Sequence, residues 1–196
     1  TDALNNPSST VYDRDGRVIK TIDALSNATF YTYDRRGNLV TVKDALGNIT
    51  RRAYDKLDRL VYTVDPLGNV TQNTYDSDGR IVATRAYATP ISLTGLSTAP
   101  GVSDVQPLVT ASSSADEQTR SVYDAIGRLR YTVDPGNFLT EYDYDAGGNV
   151  IRRVAYTTAI TPAATYTLSA IQSQIAAMNS TSLAAARITR NVYSAA

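Results

Sequence analysis

Residues 48–76 read NITRRAYDKLDRLVYTVDPLGNVTQNTYD, and Tyr-Asp occurs in them twice, at Tyr54-Asp55 and Tyr75-Asp76, 21 residues apart. A second mark, Asp65-Pro-Leu-Gly-Asn, stands between the two copies. The same spacing continues outward. Tyr-Asp occurs at Tyr12, Tyr33, Tyr54 and Tyr75, returns at Tyr123 and Tyr144, and Tyr193-Ser194 opens one more copy. The second mark keeps phase, because Asp2, Asp23, Asp44, Asp65 and Asp134 each lie ten residues before a tyrosine. Two marks in register define a repeat, D-x-x-G-N-x-T-x-x-x-Y-D-x-x-G-R-L, and a repeat decides the fold before local propensity does.

Both marks read as tight turns. Asp at the first position accepts bonds from backbone amides ahead of it, and Gly three residues later takes a positive φ, as in a hairpin loop with a bulge. Asp13–Gly16, Asp34–Gly37, Asp44–Gly47, Asp65–Gly68, Asp76–Gly79 and Asp124–Gly127 fit this pattern. Pro66 and Pro135 stand at the second position, where a fixed φ suits the turn. Asn5, Asp58 and Asn137 replace the glycine with residues that tolerate left-handed backbone, and Ser26 is the poorest substitute. Between turns run segments of about six residues rich in Val, Ile, Thr and Tyr, which is strand composition and strand length. One repeat is therefore two antiparallel strands with a turn at each end.

Composition narrows the function. Lys and Arg number 19 and Asp and Glu 19, so there is no basic excess for a nucleic-acid footprint. No stretch is long and apolar enough to span a membrane, and neither end reads as a secretory signal. His and Cys are both absent, which removes imidazole-based triads, disulfides and the common zinc sites. Tyr outnumbers Phe 14 to 2, an unusual ratio for a dry core because each buried phenol needs a partner. Strand 49–54 alternates Ile49, Arg51 and Ala53 with Thr50, Arg52 and Tyr54, so neither face is cleanly apolar. The expectation is a sheet wetted to some degree on both faces.

A longer period overlies the short one. Tyr87 and Tyr156 each fall 12 residues after a repeat tyrosine, and Ile91 and Ile160 each fall 16 after. Both segments then run through Ala/Ser/Thr-rich sequence and rejoin the repeat at TRSVYD (119–124) and TRNVYS (189–194). The spacing is 69 from Tyr54 to Tyr123 and 70 from Tyr123 to Tyr193. Leu168, Ile171, Ile175 and Met178 share one helical face, with Thr167 or Ser169 as N-cap. Ser103 is expected to cap a shorter helix holding Val105, Leu108 and Val109, with another short turn at 182–187. The reading is thus repeats at 1–87, a helical insertion at 88–119, repeats at 120–156, a second helical insertion at 157–188, and a new repeat from 189 to 196.

YDRRGNLVTVKDALGNIT (33–50) and YDAIGRLRYTVD (123–134) resemble the YD-repeat, or RHS-repeat, family at nearly every fixed position. The resemblance covers 1–87 and 120–156, with a stub at 189–196. It includes large bacterial surface YD-repeat proteins, and is related to Tc-toxin cocoon components and teneurins. It implies an all-β repeat architecture: an antiparallel meander of β-hairpins forming a curved sheet, whether tube, solenoid or shell wall, with two small helical insertions. The implied role is a structural segment of an extracellular or cell-surface bacterial protein. Its partners are further YD repeats of the same or neighbouring chains. The alternatives are an adhesin or glycan-binding module with a surface partner, and a fragment of a toxin-enclosing cocoon.

No catalytic, cofactor or metal site is assigned. Asp76/Asp78 and Asp143/Asp145 are carboxylate pairs, but the turn aspartates recur with the repeat and so read as architecture. DRDG (13–16) and DSDG (76–79) match part of a calcium loop without its third ligand or distal Glu. Asn27, Asn48, Asn69 and Asn179 begin glycosylation sequons, three of which belong to the repeat's own Gly/Ser-Asn-x-Thr turn. Tyr12, Tyr33, Tyr54, Tyr75, Tyr123, Tyr144 and Tyr193 hold one repeat position and are expected to form a structural column.

Overall fold

The computed structural model describes residues 7–112, 114–163 and 165–191. Its strands are β1 (Ser9–Tyr12), β2 (Val18–Ile22), β3 (Ala28–Tyr33), β4 (Leu39–Lys43), β5 (Ile49–Tyr54), β6 (Leu60–Val64), β7 (Val70–Tyr75) and β8 (Ile81–Ala86). After the first insertion come β9 (Glu117–Tyr123), β10 (Leu129–Val133), β11 (Leu139–Tyr144) and β12 (Val150–Ala155), and after the second β13 (Arg187–Arg190). Each strand bonds to the next in chain order, giving a 13-stranded antiparallel meander. Strands resume at Glu117 and Arg187, two or three residues earlier than the repeat letters suggest. Asp2, Asn5 and Tyr193 lie outside the described residues.

The two kinds of turn differ in register. Where the strand ends in Tyr-Asp, pairing slips by one residue at Tyr12, Tyr33, Tyr54 and Tyr144. The hairpins closed by the other mark pair without a slip, as in Val42↔Thr50 and Lys43↔Ile49. A bulge bends its strand and re-aims the side chain beside it. The repeat tyrosine is that side chain.

The insertions carry α1 (Val102–Val105), a turn of 3₁₀ helix at Gln106–Leu108, α2 (Leu168–Ala176) and α3 (Ser180–Ala184). Thr167 caps α2 by accepting from the Ala170 amide at 3.2 Å. The first helix is capped two residues earlier than expected, at Gly101 rather than Ser103, because the Asp104 carboxylate reaches back to the Gly101 amide at 2.8 Å. The helix expected at 182–187 begins at Ser180, where Asn179 accepts from the Ser182 amide at 2.8 Å. Among the described residues no helix is long and apolar enough to cross a membrane.

The chain divides into two compact units. One runs to Asn73 and includes Arg85–Asp116; the other comprises Thr74–Thr84 and the chain from Glu117 onward. Each has its own core on one sheet face. In the first, Ala53, Tyr62, Val64 and Val70 pack against Tyr87, Ile91 and Val105 of the insertion. In the second, Val122, Tyr131, Val133 and Leu139 pack against Tyr156, Ile160 and Ile171. Every sheet residue in the second set, with Tyr156 and Ile160, lies 69 positions after its counterpart in the first.

These cores correct the expectation of a sheet wetted on both faces. Single strands look mixed because Thr41 and Arg51 occupy the covered face, yet both are buried. Arg51 donates through Nε to the Ser97 carbonyl at 3.1 Å, and Thr41 donates its hydroxyl to the Thr98 carbonyl. A buried polar side chain with a backbone partner avoids the desolvation penalty. The partners belong to the insertion, which a strand-by-strand reading leaves out.

Both insertions dock by continuing the strand ladder. Tyr87 and Ile91 donate their amides to the carbonyls of Val70 and Gly68 at 2.9 and 2.8 Å. Tyr156 and Ile160 do the same to Leu139 and Asn137, both at 2.9 Å. The paired tyrosines and isoleucines of the long period are therefore the anchor points of the insertions.

Candidate functional site

Ten described turns, beginning at Asp13, Asp23, Asp34, Asp44, Asp55, Asp65, Asp76, Asp124, Asp134 and Asp145, share one bonding scheme. Asp44 illustrates it. Its amide donates to the Asn48 carbonyl at 3.0 Å, and the Gly47 amide donates to its carbonyl at 3.1 Å. Its Oδ1 accepts from the amides of Leu46 and Asn48 at 2.9 and 2.8 Å, and its Oδ2 from Asn48 Nδ2 at 2.8 Å. The carboxylate is used up within its own turn. The third turn residue after Asp has positive φ throughout, including Ser26 (66°), Asp58 (60°) and Asn137 (63°) where glycine is missing. Asp145–Gly148 is a turn of the same kind that the sequence reading did not include among its turns.

The residue four places after each Asp was visible as a letter of the repeat, but its role was not. Arg17, Arg80 and Arg128 donate Nε to the Oδ2 of Asp13, Asp76 and Asp124 at 2.7–2.8 Å. Asn27, Asn38, Asn69 and Asn149 give Nδ2 to the corresponding oxygen at 2.7–3.0 Å. Arg and Asn alternate because either one reaches that oxygen. The sequon asparagines Asn27, Asn48 and Asn69 thereby commit their side-chain nitrogen to the turn. At Asp134 the place is taken by Phe138, which gives only its backbone amide, at 2.8 Å.

These bonds hold the turn carboxylates ionised. Asp23, Asp44 and Asp145 lie below the ordinary carboxylate range chiefly because Asn27, Asn48 and Asn149 donate side-chain bonds to them. At Asp34, Asp55, Asp65, Asp76 and Asp124 desolvation is the largest influence and acts upward, but the turn bonds outweigh it and the net direction is down. A lowered folded-state pKa contributes stability that is present above the unfolded value, about 3.9, and is lost as pH falls through the folded value. Burial pushes up the phenols of Tyr62, Tyr87, Tyr131, Tyr144 and Tyr156. That contribution is present below the unfolded value, about 10, and fades above it. Without His or Cys, thermal stability is expected to stay level between about pH 5 and 9 and to fall on both sides. Melting temperatures across pH check this; a step near pH 6–7 contradicts it.

The described repeat tyrosines sit two strands apart, about 9.5 Å along the sheet. The intervening strand fills the gap. The guanidinium carbons of Arg17, Arg80 and Arg128 lie 5.0, 4.9 and 4.9 Å from the ring centroids of Tyr33, Tyr123 and Tyr144. The hydroxyls of Tyr33, Tyr54, Tyr123 and Tyr144 donate to the carbonyls of Val18, Leu39, Ile81 and Leu129 at 2.7–3.1 Å. Tyr12, in the first strand, is mostly exposed.

The two units differ under their insertions. In the first, Tyr87 donates to Gln72 Oε1 at 2.6 Å, and Gln72 Nε2 donates to the Tyr62 hydroxyl at 3.1 Å. In the second, Glu141 replaces the glutamine and accepts from the Tyr156 hydroxyl at 2.7 Å and from Arg130 at 2.6 Å. Arg130 also pairs with Asp143, which pairs with Arg152 at 2.6 Å. Val61, Gln72, Thr74 and Ala83 stand 69 positions before Arg130, Glu141, Asp143 and Arg152. Two cations and two anions have entered together.

The model of the RHS Repeat family matches residues 12–49 and 33–70. No curated protein sequence matches the chain. The fold is similar to that of the TcdB2-TccC3 crystal structure, with TM-score 0.55, 18% identity, and 76% of this chain aligned to 8% of that one. For TcdB2-TccC3-TEV the values are 0.55, 18%, 80% and 8%. For a Tc holotoxin pore of Photorhabdus luminescens carrying a TccC3 mutation they are 0.55, 18%, 79% and 8%. At this identity the likeness is one of fold, and the chain spans under a tenth of the length of those proteins. Residues 12–70 are thus matched as RHS, or YD, repeats, and they belong to a meander that resembles those structures in fold.

Proposed function

We propose that the chain is a structural repeat segment, with no catalytic role, of the wall of a tube, fibre or shell outside a bacterial cell or on its surface. The observation that carries this is the turn scheme. One set of backbone bonds recurs at ten turns, and at all of them but Asp134 both carboxylate oxygens are bonded within the turn, so the recurring acids stabilise the backbone instead of facing a substrate. The building block is a composite of two YD repeats and one insertion, and its partners are further YD repeats of the same or a neighbouring chain. The tyrosine hydroxyls bonded to backbone favour a structural line over an exposed aromatic platform for glycans. The neighbours that share the fold are named as Tc toxin components, which favours an RHS shell among the possible assemblies.

Strands β1 and β13 stand at the two ends of the strand order. An uncapped sheet end is a template for further pairing. The purified chain is therefore expected to self-associate, with its mass by light scattering rising with concentration. A monomer of constant mass, or saturable sugar binding lost on Tyr→Ala changes, contradicts the proposal.

A further inference from the structure

Among the described residues, the face that carries the first insertion continues, uncovered, over the strands that precede it. Direct cross-strand partners there form a row: Val11↔Lys20, Lys20↔Phe30, Phe30↔Lys43 and Lys43↔Ile49. Thr41 and Arg51, two residues from Lys43 and Ile49, share this face by alternation and mark where the insertion ends. Beyond that border the surface is open. Val11 and Phe30 are each 43% exposed, and Lys20 Nζ lies 5.2 Å from the Phe30 ring centroid. A groove of about 470 Å³ adjoins the row, lined by Ala28, Phe30, Lys43 and the 88% exposed Leu46.

The charge on this row is uncompensated. Among the described residues no ion pair involves Lys20 or Lys43. The adjoining carboxylates of Asp23 and Asp44 are taken by their own turns. The two lysines flank Phe30 from neighbouring strands, about 9.5 Å apart. Two carboxylates seven residues apart on a helix are about 10.5 Å apart, with the residues three and four along between them on the same face. Where this face is covered, part of its cover is already helical, with Val105 of α1 packed into the core.

We propose that the Val11–Lys20–Phe30–Lys43–Ile49 row docks a short amphipathic helix of a partner protein, acidic at positions i and i+7 and apolar between them. The apolar side chains cover Phe30 and enter the groove beside Leu46, and the carboxylates meet Lys20 and Lys43. The test is calorimetric titration of the whole chain with a capped helical peptide of about four turns, bearing two Glu seven positions apart and two Leu between. A second peptide carries Lys in place of both Glu. The acidic peptide is expected to bind, and to bind less tightly in high salt. Its affinity should fall at least about tenfold in the double variant Lys20→Ala/Lys43→Ala and in Phe30→Ala, and stay unchanged in Lys56→Ala. Circular dichroism of each variant separates lost docking from lost folding, and the double lysine variant removes side chains that make no ion pair among the described residues. Equal binding of both peptides, no binding of the acidic one, or indifference to the lysine pair overturns the proposal. So does capture by phosphatidylserine vesicles without peptide binding.

Discussion

Replacing Glu141 by alanine is expected to destabilise the second unit by about 2–4 kcal/mol, somewhat below the usual cost of breaking a buried ion pair because Asp143 still holds Arg130. Glu141 is 7% exposed and receives both the Tyr156 hydroxyl and the Arg130 guanidinium. Its loss leaves a buried phenol and a partly buried cation short of an acceptor, at the point where the insertion is anchored. The equivalent change in the first unit, Gln72→Ala, removes neutral bonds only and is expected to cost about 1–3 kcal/mol. The informative variant is the concerted one. Arg130→Val, Glu141→Gln, Asp143→Thr and Arg152→Ala together install the neutral set found 69 positions earlier. Swapping a whole buried ionic group for a packed neutral one is often neutral or stabilising. The quadruple variant should therefore unfold at higher denaturant than Glu141→Ala alone. If it is the less stable of the two, the equivalence of the units is wrong.

Gly68→Ala should be the most damaging of the turn-glycine changes. Its φ is +89°, and an added Cβ would lie 2.3 Å from the Ile91 carbonyl oxygen. That backbone cannot retreat freely, because the Ile91 amide donates to Gly68 itself. Left-handed backbone at a non-glycine residue costs about 1–2 kcal/mol, and the forced shift of packed chain about 1–3 more. Gly47 provides the control: its φ is +88° and nothing lies within 4 Å of an added Cβ, so Gly47→Ala bears only the first cost. In the second unit Asn137 accepts the same bond from Ile160 at φ +63°, so that docking geometry has room for a Cβ. Chemical denaturation of the two alanine variants checks the difference; equal losses would show that the first insertion does not press on its turn.

The fold was legible in the sequence because the local signals are strong and repeated. Asp-x-x-Gly marks turns whose bonding is contained in five consecutive residues, and Ser26, Asp58 and Asn137 stood out as the places where a non-glycine must go left-handed. Tyr87, Tyr156, Ile91 and Ile160 were found by spacing alone. What stayed hidden depends on contacts distant in sequence. Arg51 and Thr41 look like solvated residues until the insertion supplies their carbonyl partners. The fourth residue after every turn Asp but Asp134 is Arg or Asn, letters with little in common until both are seen reaching one oxygen. Along the line of repeat tyrosines stand backbone carbonyls and arginines, whose contacts with the rings the repeat letters do not show. Arg130 was silent because its carboxylates come from another strand.

The sheet is built by iteration of one composite, and excising one composite shows whether the rest stands without it. Removing residues 54–122, one full composite, joins Ala53 to Tyr123 with every turn, strand and face kept in phase. The shortened chain is expected to keep a β-sheet circular dichroism spectrum and one cooperative unfolding transition, whereas removing a block out of phase with the repeat abolishes both. Loss of structure in the in-phase deletion, or equal tolerance of the out-of-phase one, would contradict it.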